Sequence, residues 1–442
     1  MNAEKNVPSP TIFTKPIFLL FGIGALLAYN AFLTELPFFN AFLSELSPGK
    51  TIPFLNFALN ITFQFLILWK KDLFNLKIQL ISGLICSILF LILIPIVVIY
   101  LGENTIINMV ITSILILIMG FINALLTSGF YSLASFFPLE NIVSLNSGMA
   151  IAGILMNVIQ YIVLIFVEND IILCALIFFS ISGLILLICL IILLFQFKTD
   201  YYKYYLRTLN KGINNMGSNS ELLDVQNLKS ESDPEKEAET EKITEKEKET
   251  ETETETEKEN DEIIKTPKKE LTFCEMFNLL KDIDFLGMYI YIVTASLYPN
   301  AVISQQLYEI EEKYNINTIL IIINTCDTIG RYLVVKVKPT KKLTYIVIIS
   351  RTILIFTILL SYYLQLQHLS SGFTGTFLLI NIIILAISNG VGTSLCFGIA
   401  PTLVDDEYKG QAGASVSFFA TLGTFTGTIL AFGTSAIMEL MK

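Results

Sequence analysis

The residues Asn324 to Leu333 read Asn-Thr-Cys-Asp-Thr-Ile-Gly-Arg-Tyr-Leu, and they place Asp327 and Arg331 inside a stretch apolar enough to cross a bilayer. The i, i+4 spacing puts both side chains on one helix face, with the acid first. On insertion scales either charge near the middle of a membrane helix costs roughly 2.5–3.5 kcal/mol, so a chain that retains both has a use for them. A carboxylate there can accept from a hydroxyl or an N–H group, and a guanidinium beside it can pair and re-pair. That chemistry suits the passage of a polar solute.

Further polar residues recur at helical spacing. Asn56, Asn60 and Gln64 form one stripe, Asn123, Thr127 and Tyr131 a second, and Asn324 extends the Asp327–Arg331 face into a third. Polar groups facing lipid are costly, so each stripe is expected to point inward. A single Asn or Thr is explained by hydrogen bonding between helices; several stripes converging on a charge pair point to a wet cavity. Tyr29, Asn30 and Thr34 add an aromatic ring beside hydrogen-bonding tips, with Leu26 one turn earlier as an apolar wall. Such a set can stack a flat ring and read its edge. Gly423 and Gly427 make a Gly-x-x-x-Gly face, best explained by close helix packing. Arg351 is a further charge in an apolar window, and either snorkelling to the interface or pairing with an acid would accommodate it.

The elements that hold these residues follow from composition. The chain has 442 residues, 53% hydrophobic and 15% charged, with a mean hydropathy of +0.65. Windows of spanning length occur at 16–38, 52–69, 78–100, 105–137, 142–167, 171–197, 284–304, 316–336, 343–366, 373–401 and 411–437. Six precede and five follow an insert at 198–270 whose Glu-Thr repeat around Glu249–Glu257 lacks the apolar residues a core needs. The expected organisation is a six-helix bundle over 1–197, a disordered acidic linker over 198–270, and a five-helix bundle over 271–442. The insert carries much of the acid behind the net charge of −10. Lysines 15, 336, 341, 342 and 409 and the basic flanks of the insert gather on one side; Lys50, Lys313 and Lys442 fall on the other. This bias predicts a cytoplasmic N-terminus and linker and an external C-terminus.

The same residues resemble the equilibrative nucleoside transporter family. The segment 324–333 is similar to its Asp-x-x-Gly-Arg motif through Asp327, Gly330 and Arg331. The segment 387–427 resembles its tenth and eleventh helices through Ser388-Asn389-Gly390, Pro401, Ala412-Gly413 and Gly423. Thr294 and Tyr298-Pro299 are family-like in the seventh helix, Pro138 and Gly148 more loosely in the fifth region, and Asn30 in the first. Two departures stand out. Where many members have Pro-Trp-Asn, this chain has Ala28-Tyr29-Asn30, and Thr127 replaces a glutamine eleven residues before the proline. In the family both positions line the nucleoside pocket, so the departures bear on substrate preference. The resemblance implies a major-facilitator-like fold of 6 + 5 helices alternating access around a central site.

The fold expected is therefore an all-α polytopic membrane protein with eleven transmembrane helices. The function expected is carriage of nucleosides or nucleobases, purines foremost, with Leu26, Tyr29, Asn30, Asn123, Thr127, Tyr131, Asn324, Asp327 and Arg331 as substrate contacts. Facilitated passage is preferred over proton linkage, because the one histidine, His368, falls in a short outer loop and only Asp327 or Glu35 could carry a proton. Carriage of another small polar solute, or a receptor or scaffold acting through the acidic linker, are the competing readings. No nucleophile, base and metal set appears, so an enzyme is not expected, nor a cofactor or metal. The expected partners are a small-molecule substrate and the lipid bilayer, with no nucleic acid and a monomeric state; the plasma membrane is the expected location.

Overall fold

A computed structural model of the chain describes residues 13–46, 48–69, 75–103, 105–167, 170–204, 273–298, 300–310, 312–336 and 339–442. Among these, eleven helices are long and apolar enough to cross a membrane, and no strand occurs. They are α1 (Thr14–Thr34), α2 (Pro48–Trp69), α3 (Leu76–Leu101), α4 (Ile106–Ser135), α5 (Leu139–Phe166) and α6 (Ile171–Gln196) before the insert. After it come α7 (Phe273–Leu297), α8 (Glu312–Lys336), α9 (Lys341–Leu366), α10 (Ser371–Ile399) and α11 (Lys409–Met441).

Several ends depart from the hydropathy windows for local reasons. The first window breaks at Glu35, because Pro37 in the following turn cannot continue the α1 ladder, and a short helix Leu36–Leu43 resumes at a new angle. The seventh helix starts about three turns before its window, since Phe273–Ile283 carries charge on one face and Met276, Leu280 and Ile283 on the buried one. The ninth is interrupted at Arg351, whose N–H bonds back to Ile348 in a tighter turn. The expected linker 198–270 falls outside the described residues beyond Tyr204. Its first residues are ordered: Tyr202 is 1% exposed and its ring stacks on Phe18 and leans on Phe137.

Helix pairing repeats at an offset of six. The α1–α5 pair matches α7–α11, and α2–α4 matches α8–α10. Between the two sets, α5–α8 matches α11–α2. Helix α3 packs on α6. Small residues permit the closest contacts. A Cβ on Gly330 would overlap the Ile387 carbonyl oxygen, and one on Gly390 the Asp327 carbonyl oxygen, so α8 and α10 touch backbone to backbone at the charge pair. Gly423 and Gly427 likewise lie against the Met288 and Ile292 carbonyls of α7, as the Gly-x-x-x-Gly spacing suggests.

Candidate functional site

Helix α8 places Asp327 and Arg331 one turn apart, each 6% exposed. Arg331 donates from Nε and Nη2 to one carboxylate oxygen, Oδ2, both at 2.8 Å. The other oxygen, Oδ1, accepts from Asn389 Nδ2 of α10 at 2.8 Å. The remaining arm of the guanidinium, Nη1, donates to the Asn146 carbonyl oxygen of α5 at 2.6 Å. One arginine therefore holds the acid of its own helix set and a backbone carbonyl of the other. Its planar fork permits this; a lysine ammonium lacks that geometry.

Asn389 is itself held. Its Oδ1 lies 2.7 Å from the Thr294 hydroxyl of α7, which accepts from Arg351 Nη2 at 2.5 Å. Arg351 Nη1 donates to the Leu385 carbonyl at 3.0 Å and to Ser388 Oγ at 2.7 Å. Neither sequence-based expectation for Arg351 is met. It is 1% exposed, so it does not snorkel, and the polar groups it bonds are uncharged. It reaches Asp327 through Thr294 and Asn389.

Toward the end of the bundle where the insert leaves and returns, the two sets meet directly. Tyr131 of α4 donates to Asn146 Oδ1 at 2.6 Å, and its ring stacks on Phe397 of α10, 3.8 Å between centroids and 11° between planes. Ser132 Oγ donates to the Gly410 carbonyl of α11 at 3.0 Å. Beyond this plug lies a cleft of about 430 Å³ lined by Ser135, Pro138, Gly398, Pro401 and Lys409 among others.

A second polar cluster is neutral. Gln64 Nε2 of α2 lies within bonding distance of Asn60 Oδ1 (2.7 Å), Thr421 Oγ1 of α11 (2.9 Å) and Thr127 Oγ1 of α4 (3.1 Å). The amide has two hydrogens for those three acceptors. Ser417 Oγ of α11 donates to Gln64 Oε1 at 3.2 Å, and Asn123 Nδ2 to Asn56 Oδ1 at 3.3 Å.

These observations are joined by one from sequence comparison: the family model for the nucleoside transporter matches residues 113–436. The chain belongs to the nucleoside transporter family. It is a multi-pass membrane transporter, not an enzyme. No curated protein matches its sequence significantly. Solved structures share the fold at low identity. The proton:xylose symporter XylE of the major facilitator superfamily, bound to 6-bromo-6-deoxy-D-glucose, aligns with a TM-score of 0.62 at 14% identity over 97% of this chain and 90% of its own. XylE from E. coli in a partially occluded inward open conformation aligns at 0.56 and 13%, over 98% and 99%. FucP in the outward conformation aligns at 0.55 and 12%, over 98% and 99%. The eleven helices thus form a 6 + 5 major-facilitator-like arrangement.

The residues singled out from the transporter's sequence fall into four places. Asp327, Arg331 and Tyr131 converge around Asn146. Asn123 and Thr127 join the Gln64 cluster. Tyr29, Asn30 and Leu26 lie half-buried on α1: Asn30 Nδ2 bonds its own helix at Leu26 O (3.0 Å), and the Tyr29 ring tilts against Phe57 at 5.2 Å. Asn324 packs its amide against Gly153 of α5. The expected contact set lacks Asn389, Thr294, Asn146, Gln64 and Arg351. Gln64 had a signal, its place in the Asn56–Asn60 stripe. The Asn146 carbonyl that Arg331 bonds had none, because any residue supplies a backbone carbonyl.

Proposed function

We propose that this transporter carries nucleosides or nucleobases, purines foremost, by alternating access around Asp327. The observation that carries the reading is the double duty of Arg331, which neutralises the Asp327 carboxylate and ties α8 to α5 across the helix sets. A ribose hydroxyl or base N–H approaching Asp327 competes with Asn389 or Arg331 for a carboxylate oxygen. Displacing Arg331 loosens its bond to Asn146, so occupancy and the grip between the sets are coupled. The Tyr131–Phe397 stack then serves as the gate on the insert side, with the cleft beyond it as the mouth. The lysine bias supports a cytoplasmic insert and an external C-terminus. The plasma membrane is the proposed location and a single chain the proposed working unit.

An uncharged ring suits the remaining groups. Asn123, Thr127 and Gln64 offer edge-reading amides and a hydroxyl, while Tyr29 and Leu26 offer apolar walls. Thr127 provides fewer base-edge bonds than an amide, each worth about 0.5–1.5 kcal/mol, so affinity is modest and selectivity among purines broad. Purified protein in vesicles, tested for tritiated adenosine uptake against excess inosine, hypoxanthine, uridine and xylose, checks this. Purines compete best and xylose does not; xylose competing as well as inosine would overturn the substrate class.

A further inference from the structure

Glu35 is the one buried acid among the described residues of the first six helices. It ends α1 immediately before the turn to Leu36–Leu43 and is 1% exposed. Its Oε1 has no hydrogen-bond partner, and among the described residues it makes no ion pair with a lysine, arginine or histidine. The Gln160 amide of α5 lies beside the carboxyl. Gln160 turns its Nε2 toward Cys174 Sγ of α6, and its Oε1 has no donor. One turn earlier on α5, Asn157 spends its Nδ2 on the Gly153 carbonyl at 2.8 Å and leaves Oδ1 without a donor as well. Three buried acceptor oxygens, Glu35 Oε1, Gln160 Oε1 and Asn157 Oδ1, thus have no donor in this arrangement. The ionisable groups facing it are the Cys174 thiol and, farther off at the start of α6, Asp170, whose Oδ1 accepts from the Ile172 and Leu173 amides. The Leu36–Leu43 helix contributes none. An ionised carboxylate is costly there without a countercharge, whereas the neutral acid is not, and its O–H adds a donor beside unpaired acceptors.

We propose that Glu35 is a proton-binding site that must take up a proton to be buried in this conformation, which makes the transport cycle proton-linked. The proton comes from water, resides on a Glu35 carboxyl oxygen beside the Gln160 amide, and returns to water when the region is hydrated. The connection to the substrate site runs along α5. Gly153, which holds Asn157, lies against the amide of Asn324, and Asn324 precedes Asp327 by one turn of α8. Parting α5 from α8 admits water to Asn157 and Gln160, and so to Glu35. Asp284 is also buried and its Oδ1 lacks a partner, but Ser415 of α11 donates to its Oδ2 at 2.8 Å. The proton site stands on its own geometry; its link to transport rests on the substrate reading above, and the test separates the two.

Glu35→Gln has the shape of the neutral acid. Melting temperatures of purified wild type and E35Q should coincide near pH 4 and diverge in favour of E35Q by several degrees toward about pH 8, because only the wild type must then hold or lose a proton. A gap that stays constant with pH, or an E35Q protein that fails to fold, overturns the proposal. In vesicles, an inward proton gradient should speed tritiated adenosine accumulation several-fold in the wild type and leave E35Q unaffected, while E35Q keeps adenosine exchange at equal pH. A wild type that moves adenosine equally with and without the gradient contradicts the linkage. A pH-dependent melting gap in a protein that moves no adenosine retains the proton site and sinks the substrate reading.

Discussion

The charged cluster at Asp327 and the neutral cluster at Gln64 both join the two helix sets, but they do so by different chemistry. Around Asp327 each carboxylate oxygen has an assigned donor, and the directions are fixed by a guanidinium fork and an amide. Around Gln64 two amide hydrogens face three acceptors, so the same residues can trade partners without leaving a buried charge. The first arrangement has few alternatives and breaks as a unit; the second is adaptable. A carrier needs both: a site whose occupancy changes the grip between its halves, and a contact surface that tolerates their movement.

That contrast orders the expected effects of mutation. Arg331→Lys removes the fork that serves Asp327 and Asn146 together. Bonds to charged groups are worth about 1.5–3 kcal/mol each, so uptake per surface molecule should fall roughly 10- to 100-fold. Retention of half the wild-type rate would place the link between the sets elsewhere. Arg351→Lys keeps the charge but cannot serve Thr294, Leu385 and Ser388 in the same geometry, so Asn389 loses its orientation. Uptake should drop several-fold, mainly through a higher KM, and a pure loss of kcat would argue against a positioning role. Gln64→Leu gives the smallest effect. Hydrogen bonds between membrane helices average about 0.6 kcal/mol, and Asn60, Thr127 and Thr421 can re-pair, so a roughly two- to fivefold change is expected. A loss as large as that of Arg331→Lys would erase the distinction between the clusters.

Much of this was legible from residue types. The hydropathy windows anticipate eleven helices, and the stripes of Asn56, Asn60 and Gln64 and of Asn123, Thr127 and Tyr131 are buried as their spacing suggests. Their partners were not legible, since periodicity along one helix says which face is polar but not which helix covers it. Arg351 illustrates the limit. Its depth in the window shows that it needs partners, but these come from α7 and α10, 57 and 34 residues away. The turn at Glu35 was signalled by Pro37, but hydropathy averaged across it gave one continuous span.

The central claim is that Asp327 is a substrate contact and not only half of an ion pair. Asp327→Asn keeps the shape and can still bond Asn389, but it withdraws the charge that Arg331 and an incoming hydroxyl compete for. The direct measurement is initial adenosine uptake by wild type and D327N, each normalised to protein at the cell surface. The account predicts near-normal surface levels with uptake reduced at least tenfold. Equal uptake per surface molecule would contradict it.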